Sequence, residues 1–238
     1  MKNIFIFIWL LLIANSVIFS SNLYSADKNN HPDKNLINVL VIAGDKYGSS
    51  FLVSDENAPS IKQQLEDFGW NITIAGISDT IGPCPWGEST FNIEPLIVST
   101  KINEINSITD FDAVVILPGR DFSRLITDVT TLNLLKEANN KGMVIAAWCR
   151  GVRLLAAADI IQGRNIIGHF DYFEDYKAAG ANYIEYSFKW ENGHKIFNNV
   201  MPPIRDRNII TTVRSLYYRN EMCQLIKEAV EETLIGDK

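Results

Sequence analysis

The stretch from Met143 to Ala158 constrains the fold more than any other part of this chain. Met143 to Ala147 is an apolar run of the kind that lies buried on both faces of a parallel sheet. It ends abruptly at Trp148-Cys149, and Gly151 follows. Leu154, Leu155 and the alanines at 156, 157 and 158 then make a good helix. A strand that turns sharply into a helix at a nucleophile-type residue is an elbow, in which the side chain is thrust out above the sheet. The helix N-terminus under Cys149, with Arg150 and Arg153 if they face it, should lower the thiol pKa. The competing reading is a buried structural cysteine.

The rest of the chain repeats the strand and helix pattern. Leu36 to Ala43 is a β-branched apolar run and a central, parallel strand, with a turn at Gly44–Gly48. Ala58 to Phe68 reads as a helix with Pro59 in its first turn and Gly69 as its stop. Trp70–Ala75 is a second strand and Asp112–Leu117 a third, ending at Pro118-Gly119. Residues 79–98 read as irregular, with a compact turn cluster at 82–87. Thr130–Asn140 is helical and Gly142 stops it. Residues 163–168, 183–190 and 207–213 read as shorter strands, and a last helix runs from Arg219 to Leu234. Such alternation means an α/β sheet covered on both faces, whose ligand site lies outside the carboxyl ends of the strands. Gly44-Asp45, Pro118–Arg120 and Cys149 converge there. The chain has no Gly-rich dinucleotide fingerprint and no phosphate loop, so no cofactor is expected. His31 and His194 have no metal-ligand spacing, and no metal is expected.

A hydrophobic content of 47% with 21% charged residues suits a globular chain, so the first 25 residues stand out. Lys2, the apolar run Ile4–Ala14 and the small-residue exit at Ser25-Ala26 have the organisation of a secretory signal peptide. The apolar run is short for a membrane span. Residues 26–35 are a polar, flexible lead-in, and 36–238 a single domain. The expected location is therefore secreted or periplasmic, with a membrane anchor only if the segment stays uncleaved. Loss of Lys2 takes the formal charge from −6 to −7, which argues against nucleic acid as a partner. Export also means an oxidising compartment, where the odd number of cysteines leaves at least one thiol free or bridged between chains. A Cys84–Cys223 bridge with Cys149 free is one arrangement.

With these segments in hand, the chain resembles the ThiJ/PfpI superfamily, which includes the parkinsonism-associated deglycase and archaeal peptidases. The matching segments, in family order, are Val39–Ala43, Asp112–Gly119, Ala146–Gly151, Leu155–Ala158, Gly163–His169, Ala178–Ala181 and Asp206–Arg214. The resemblance covers roughly residues 36 to 235. It implies a flavodoxin-like three-layer sandwich with a mostly parallel central sheet, an elbow cysteine, a small-molecule substrate and a homodimer. Many members have a histidine directly after the cysteine, where this chain has Arg150. Others use a later histidine, and His169 stands at that place. The family's acidic residue falls on the loop after the first strand. Counting back from Gly69 reaches Asn57, with Glu56 beside it, so the acidic partner is Glu56 or the chain lacks one. The usual Leu-Pro-Gly-Gly turn is Leu117-Pro118-Gly119-Arg120, whose Arg120 N–H would form an oxyanion hole with that of Cys149.

Such a site suits glyoxalase- or deglycase-type chemistry on reactive aldehydes, or hydrolysis of an acyl bond. Arg120 and Arg150 would favour an anionic substrate if they face the pocket. The alternative is a non-catalytic member that senses oxidants through Cys149 or binds a small molecule.

Overall fold

The computed structural model describes residues 36–84, 93–192, 194–198 and 201–236. The expected signal segment, the lead-in and part of the 82–87 turn cluster lie outside the described residues. Along the described chain come β1 (Asn38–Ile42), β2 (Lys46–Tyr47), α1 (Ile61–Asp67), β3 (Asn71–Gly76), β4 (Thr80–Pro83), β5 (Leu96–Ile97) and β6 (Thr100–Lys101). Next are β7 (Ala113–Ile116), β8 (Gly119–Arg120), α2 (Val129–Asn140), β9 (Val144–Trp148) and α3 (Val152–Ala157). Then follow β10 (Asn165–Ile166), α4 (Phe173–Ala178), β11 (Asn182–Tyr183), β12 (Ser187–Glu191) and β13 (His194–Asn198). The chain closes with β14 (Ile204–Asp206), β15 (Ile209–Thr212) and α5 (Arg219–Gly236).

The main sheet has seven strands in the order β14-β15-β9-β7-β1-β3-β6. Its pairings are parallel except at the edge, where β14 meets β15 antiparallel. Side chains alternate across each strand, and here both faces are apolar. Val144, Ala146 and Trp148 of β9 pack with Val39, Val41 and Val115, under α1 and α5. Ile145 and Ala147 pack the other way with Leu40, Ile42 and Val114, under α2, α3 and α4. These are three layers: the covered α/β sheet that the apolar runs imply and the flavodoxin-like sandwich that the resemblance implies. Each buried Leu or Ile contributes about 1.5–3 kcal/mol.

Local sequence sets the helix ends. Ser60 caps α1, its hydroxyl accepting from the Gln63 N–H at 3.1 Å. Asp128 caps α2 in the same way through Thr131 at 2.8 Å. A helix starting at Ala58 with Pro59 in its first turn is therefore corrected: Ser60 offers the orphan N–H groups an acceptor, and Pro59 precedes the cap. Residues 79–98 are not wholly irregular, since β4 and β5 join β2 and β8 in a four-stranded sheet. The expected strand over 183–190 is two strands, β11 and β12, in different sheets, and β12 pairs antiparallel with β13.

Candidate functional site

Four neighbouring parallel strands, β1, β7, β9 and β15, deliver their carboxyl ends to one side of the sheet. After β9 the chain enters a single tight turn, Cys149–Gly151, and then α3. Cys149 has φ 54°, a left-handed conformation rare for a residue with a side chain. Such strain persists only where the flanks over-determine it. Here the flanks are β9, fully buried, and Gly151, whose missing side chain lets the turn lie on β7. A Cβ at Gly151 would come within 2.7 Å of Ile116 Cγ2. The Cys149 carbonyl accepts from the His169 N–H at 3.2 Å, which fastens the elbow to the segment after β10.

Cys149 is half-buried on the wall of a cavity of about 300 Å³. Gly48, Ser50, Cys84, Pro118, Arg214 and Ser215 also line it. Of the three segments expected to converge at the strand ends, Pro118 and Cys149 line the cavity; the loop after β1 reaches it from Gly48 onward, while Asp45 pairs with Arg124, and the Arg214 segment after β15 is a further contributor. The thiol itself corrects an expectation. Burial pushes its pKa up to about 11, against the opposing fields of Arg150 and Arg214 and the Arg150 N–H directed at the sulfur. The helix start beneath it is short, and desolvation outweighs it.

Arg150, in the place where many relatives carry histidine, turns away from the cavity. Its Nη2 lies 3.0 Å from Asp171 Oδ2 and 3.2 Å from His169 Nε2. A guanidinium has only donors, and Nδ1 on the far side of the ring accepts from the Asp171 N–H, so the ring sits between two donor groups. Asp171 is on the other side of the ring, its carboxylate 3.4 Å and its N–H 3.2 Å from Nδ1. Phe170 stacks on the same ring at 4.6 Å. Among the described residues no hydrogen bond joins the His169 ring to the Cys149 sulfur. Arg153 pairs with Asp175 and lies over Tyr172.

Glu56 is exposed. The carboxylate on the cavity wall is that of its neighbour Asp55. Burial works against the Asp55 charge, but the N–H groups of Asn57 and Ala58 and the Arg219 guanidinium hold its pKa below the usual carboxylate range. Arg219, buried at the start of α5, also donates to the carbonyls of Val53, Ala58, Pro59 and Ser215. Gly119 and Arg120 lie in β8, paired antiparallel with Lys46 and Tyr47, and it is Pro118 that reaches the cavity. A Cβ at Gly119 would fall 2.2 Å from the Lys46 carbonyl, so only glycine fits. Cys84 and Cys223 are both free thiols: Cys84 is on the cavity wall and Cys223 in the core on α5. No Cys84–Cys223 bridge is formed. Among the described residues no group of histidine, cysteine or carboxylate side chains could hold a metal.

Sequence reasoning missed Arg214, Asp55, Asp171 and Arg219. Arg214 carried a usable signal, since it follows an apolar strand just as Cys149 does. Asp171 lies two residues from His169. Nothing in the sequence marks Arg219, at the start of a helix, as a buried cation.

A flavodoxin-like sandwich with a left-handed cysteine at the end of a central strand defines a class, and the comparison with known families agrees. The DJ-1/PfpI family matches residues 39–228, and the chain belongs to it. The chain is similar to Protein DJ-1 homolog D of Arabidopsis thaliana, 33% identical over 78 residues, which is 33% of this chain and 20% of that protein. The aligned stretch thus spans about a fifth of that relative. Among solved structures it resembles the ThiJ/PfpI domain protein of Brachyspira murdochii, with TM-score 0.64 and 15% identity over 82% of this chain and 96% of that one. Drosophila melanogaster DJ-1beta gives TM-score 0.58 and 19% identity, over 84% and 97%. A two-domain protein of Anabaena variabilis with DJ-1/ThiJ/PfpI-like and ferritin-like domains gives 0.65 and 17%, over 82% of this chain and 48% of that one. At these identities the structures share the fold.

Proposed function

We propose that the protein is a cysteine-dependent enzyme of the glyoxalase or deglycase type, acting on small carbonyl compounds, with hydrolysis of small acyl compounds as the related chemistry. The observation that carries this reading is Cys149: a strained, half-buried thiol on a cavity wall where four strands end. In the reaction the sulfur adds to the carbonyl carbon, and the carbonyl electron pair moves to oxygen, which takes up the thiol proton. In this proposal His169 carries that proton, which requires its ring to leave its present contacts with Arg150 and Asp171 during turnover. The protein acts as an exported homodimer in this proposal. Turnover of methylglyoxal by the purified mature chain tests the chemistry. Cys149→Ser should abolish it, and His169→Ala should lower it by about two to four orders of magnitude. Full activity in Cys149→Ser would end the proposal.

A second reading, an oxidant-sensing or small-molecule-binding member without turnover, has its own support. The thiol is pushed up to about 11 and the His169 ring is engaged by Arg150 and Asp171, both of which weigh against turnover. Absence of turnover in wild type, with peroxide oxidation mapped to Cys149, would favour it.

A further inference from the structure

Two hydroxyls on the wall of the cavity beside Cys149 hold one proton more than they can use between them. Ser50 and Ser215 both line it, and both are more than nine-tenths buried. Their oxygens lie 2.5 Å apart in a hydrogen bond. Each hydroxyl carries one proton, so one proton makes this bond and the accepting serine keeps the other. Among the described residues neither hydroxyl has a second hydrogen-bond partner. A buried donor without an acceptor costs free energy until something accepts from it.

The sheet places this pair at the elbow. Thr212 of β15 stands in register with Trp148 of β9, so the chain leaves β15 beside Cys149 and reaches Ser215 three residues later. On the other side Ile116 of β7 faces Ala147, and the same register carried two residues on brings Pro118 alongside Cys149. The Gly48 N–H donates to the Pro118 carbonyl at 2.7 Å and opens the turn that carries Ser50. Both serines are held from outside the cavity. The Phe51 N–H closes the Ser50 turn on the Gly48 carbonyl at 3.0 Å, and the Ser215 carbonyl accepts from Arg219 Nε at 3.1 Å. Arg120, whose N–H the family turn would offer to an oxyanion, lies in β8 against Lys46 and outside the lining.

We propose that the Ser50–Ser215 pair is the carbonyl-oxygen site of this cavity, giving its second proton in a hydrogen bond to the oxygen of a small aldehyde or ketone whose carbonyl carbon bonds to Cys149. The inference rests on the reading of Cys149 as the nucleophile. As the S–C bond forms, the carbonyl π pair moves to oxygen, and charge gathers on the atom that the hydroxyl serves. The thiol proton ends on that oxygen, and both serines keep their own. Donors fixed in advance stabilise such charge without reorganising during the reaction.

Either serine can be the donor, so the variants have a signature that a packing role lacks. Ser50→Ala and Ser215→Ala each keep one hydroxyl, and the double variant keeps none. Replacing both partners of a buried hydrogen bond by apolar groups is close to neutral for folding; Ser50→Gly with Ser215→Ala removes the same two protons where the double alanine variant does not fold. Acetaldehyde labelled with ¹³C at its carbonyl carbon is titrated into the native protein, and the hemithioacetal at Cys149 is followed by ¹³C NMR, with Cys149→Ser as the blank. Acetaldehyde lacks the second carbonyl that glyoxalase-type turnover needs, so the adduct is read at equilibrium. Its dissociation constant should rise about twofold in each single variant and about tenfold in the double. Iodoacetamide, which alkylates Cys149 without adding to a carbonyl, should label wild type and variants at one rate. An unchanged constant in the double variant, or a single variant as weak as the double, overturns the inference and leaves Cys149 as the nucleophile. So does a double variant whose iodoacetamide rate falls as far as its adduct, because the serines would then only shape the thiol site. No adduct in wild type ends the inference and the carbonyl reading together.

Discussion

At pH 7 a thiol pushed up to about 11 is ionised in about one molecule in ten thousand, so the charge around Cys149 governs its reactivity. Arg150 opposes the burial, and its removal should move the thiol further up. The predicted outcome is an iodoacetamide labelling rate at Cys149 that climbs through pH 9 and levels near 11, with Arg150→Met displaced to higher pH. A profile levelling below pH 8 would show that the sulfur is better solvated than its packing implies. Arg150→His should also change the rate, because it exchanges the guanidinium that occupies His169 for the ring many relatives carry. The elbow at this residue was legible, since a buried strand, a cysteine and a glycine before a helix leave few other geometries. The direction of the thiol pKa was not. A helix start and two arginines are visible in sequence, whereas desolvation depends on how the folded chain packs around the sulfur.

At the scale of elements, the long apolar runs gave β1, β3, β7 and β9 at nearly their true places, because runs such as Val39–Ile42 admit only a strand buried on both faces. The two-residue strands β2, β5 and β8 were not legible, since so short a segment carries no period and is defined by its partner. The candidate site divides in the same way: its strand-end residues were readable, but the acidic candidate fell on exposed Glu56 while Asp55 faces the cavity. That choice is made by Arg219, which binds the 53–59 segment from another element. Arg219→Met should cost about 2–4 kcal/mol, since several buried acceptors lose their donor; urea denaturation checks this, and an unchanged midpoint would refute it. Gly151→Ala should destabilise by about 1–3 kcal/mol through overpacking against Ile116. It should also slow Cys149 labelling, because the elbow must lift off β7.

For the whole molecule, the two core clusters draw on residues from Ile37 to Val230. A chain beginning at residue 36 is therefore predicted to unfold cooperatively, within a few degrees of a chain that retains 26–35; a loss of more than about 5 °C in Tm would place the lead-in within the stable structure. Export is proposed from residues 1–25 and predicts a mature N-terminus near Ala26 or Asp27; intact Met1 on a soluble cytoplasmic protein would contradict it. Folding raises the Cys149 pKa from 9.0 to about 11 and that of Cys223 to about 12. The protonated forms are thus favoured by the fold, and their contribution is present below pH 9 and lost as the pH rises through 11 and 12. Wild-type stability should fall across that window, and less steeply in Cys149→Ser.

The central claim, that the Cys149 sulfur forms a bond to a carbonyl carbon in this cavity, is tested most directly by ¹³C NMR with labelled methylglyoxal. The account predicts a protein-bound hemithioacetal carbon in wild type that disappears in Cys149→Ser while Cys84 and Cys223 remain. The same resonance in Cys149→Ser, or none in wild type, would contradict it.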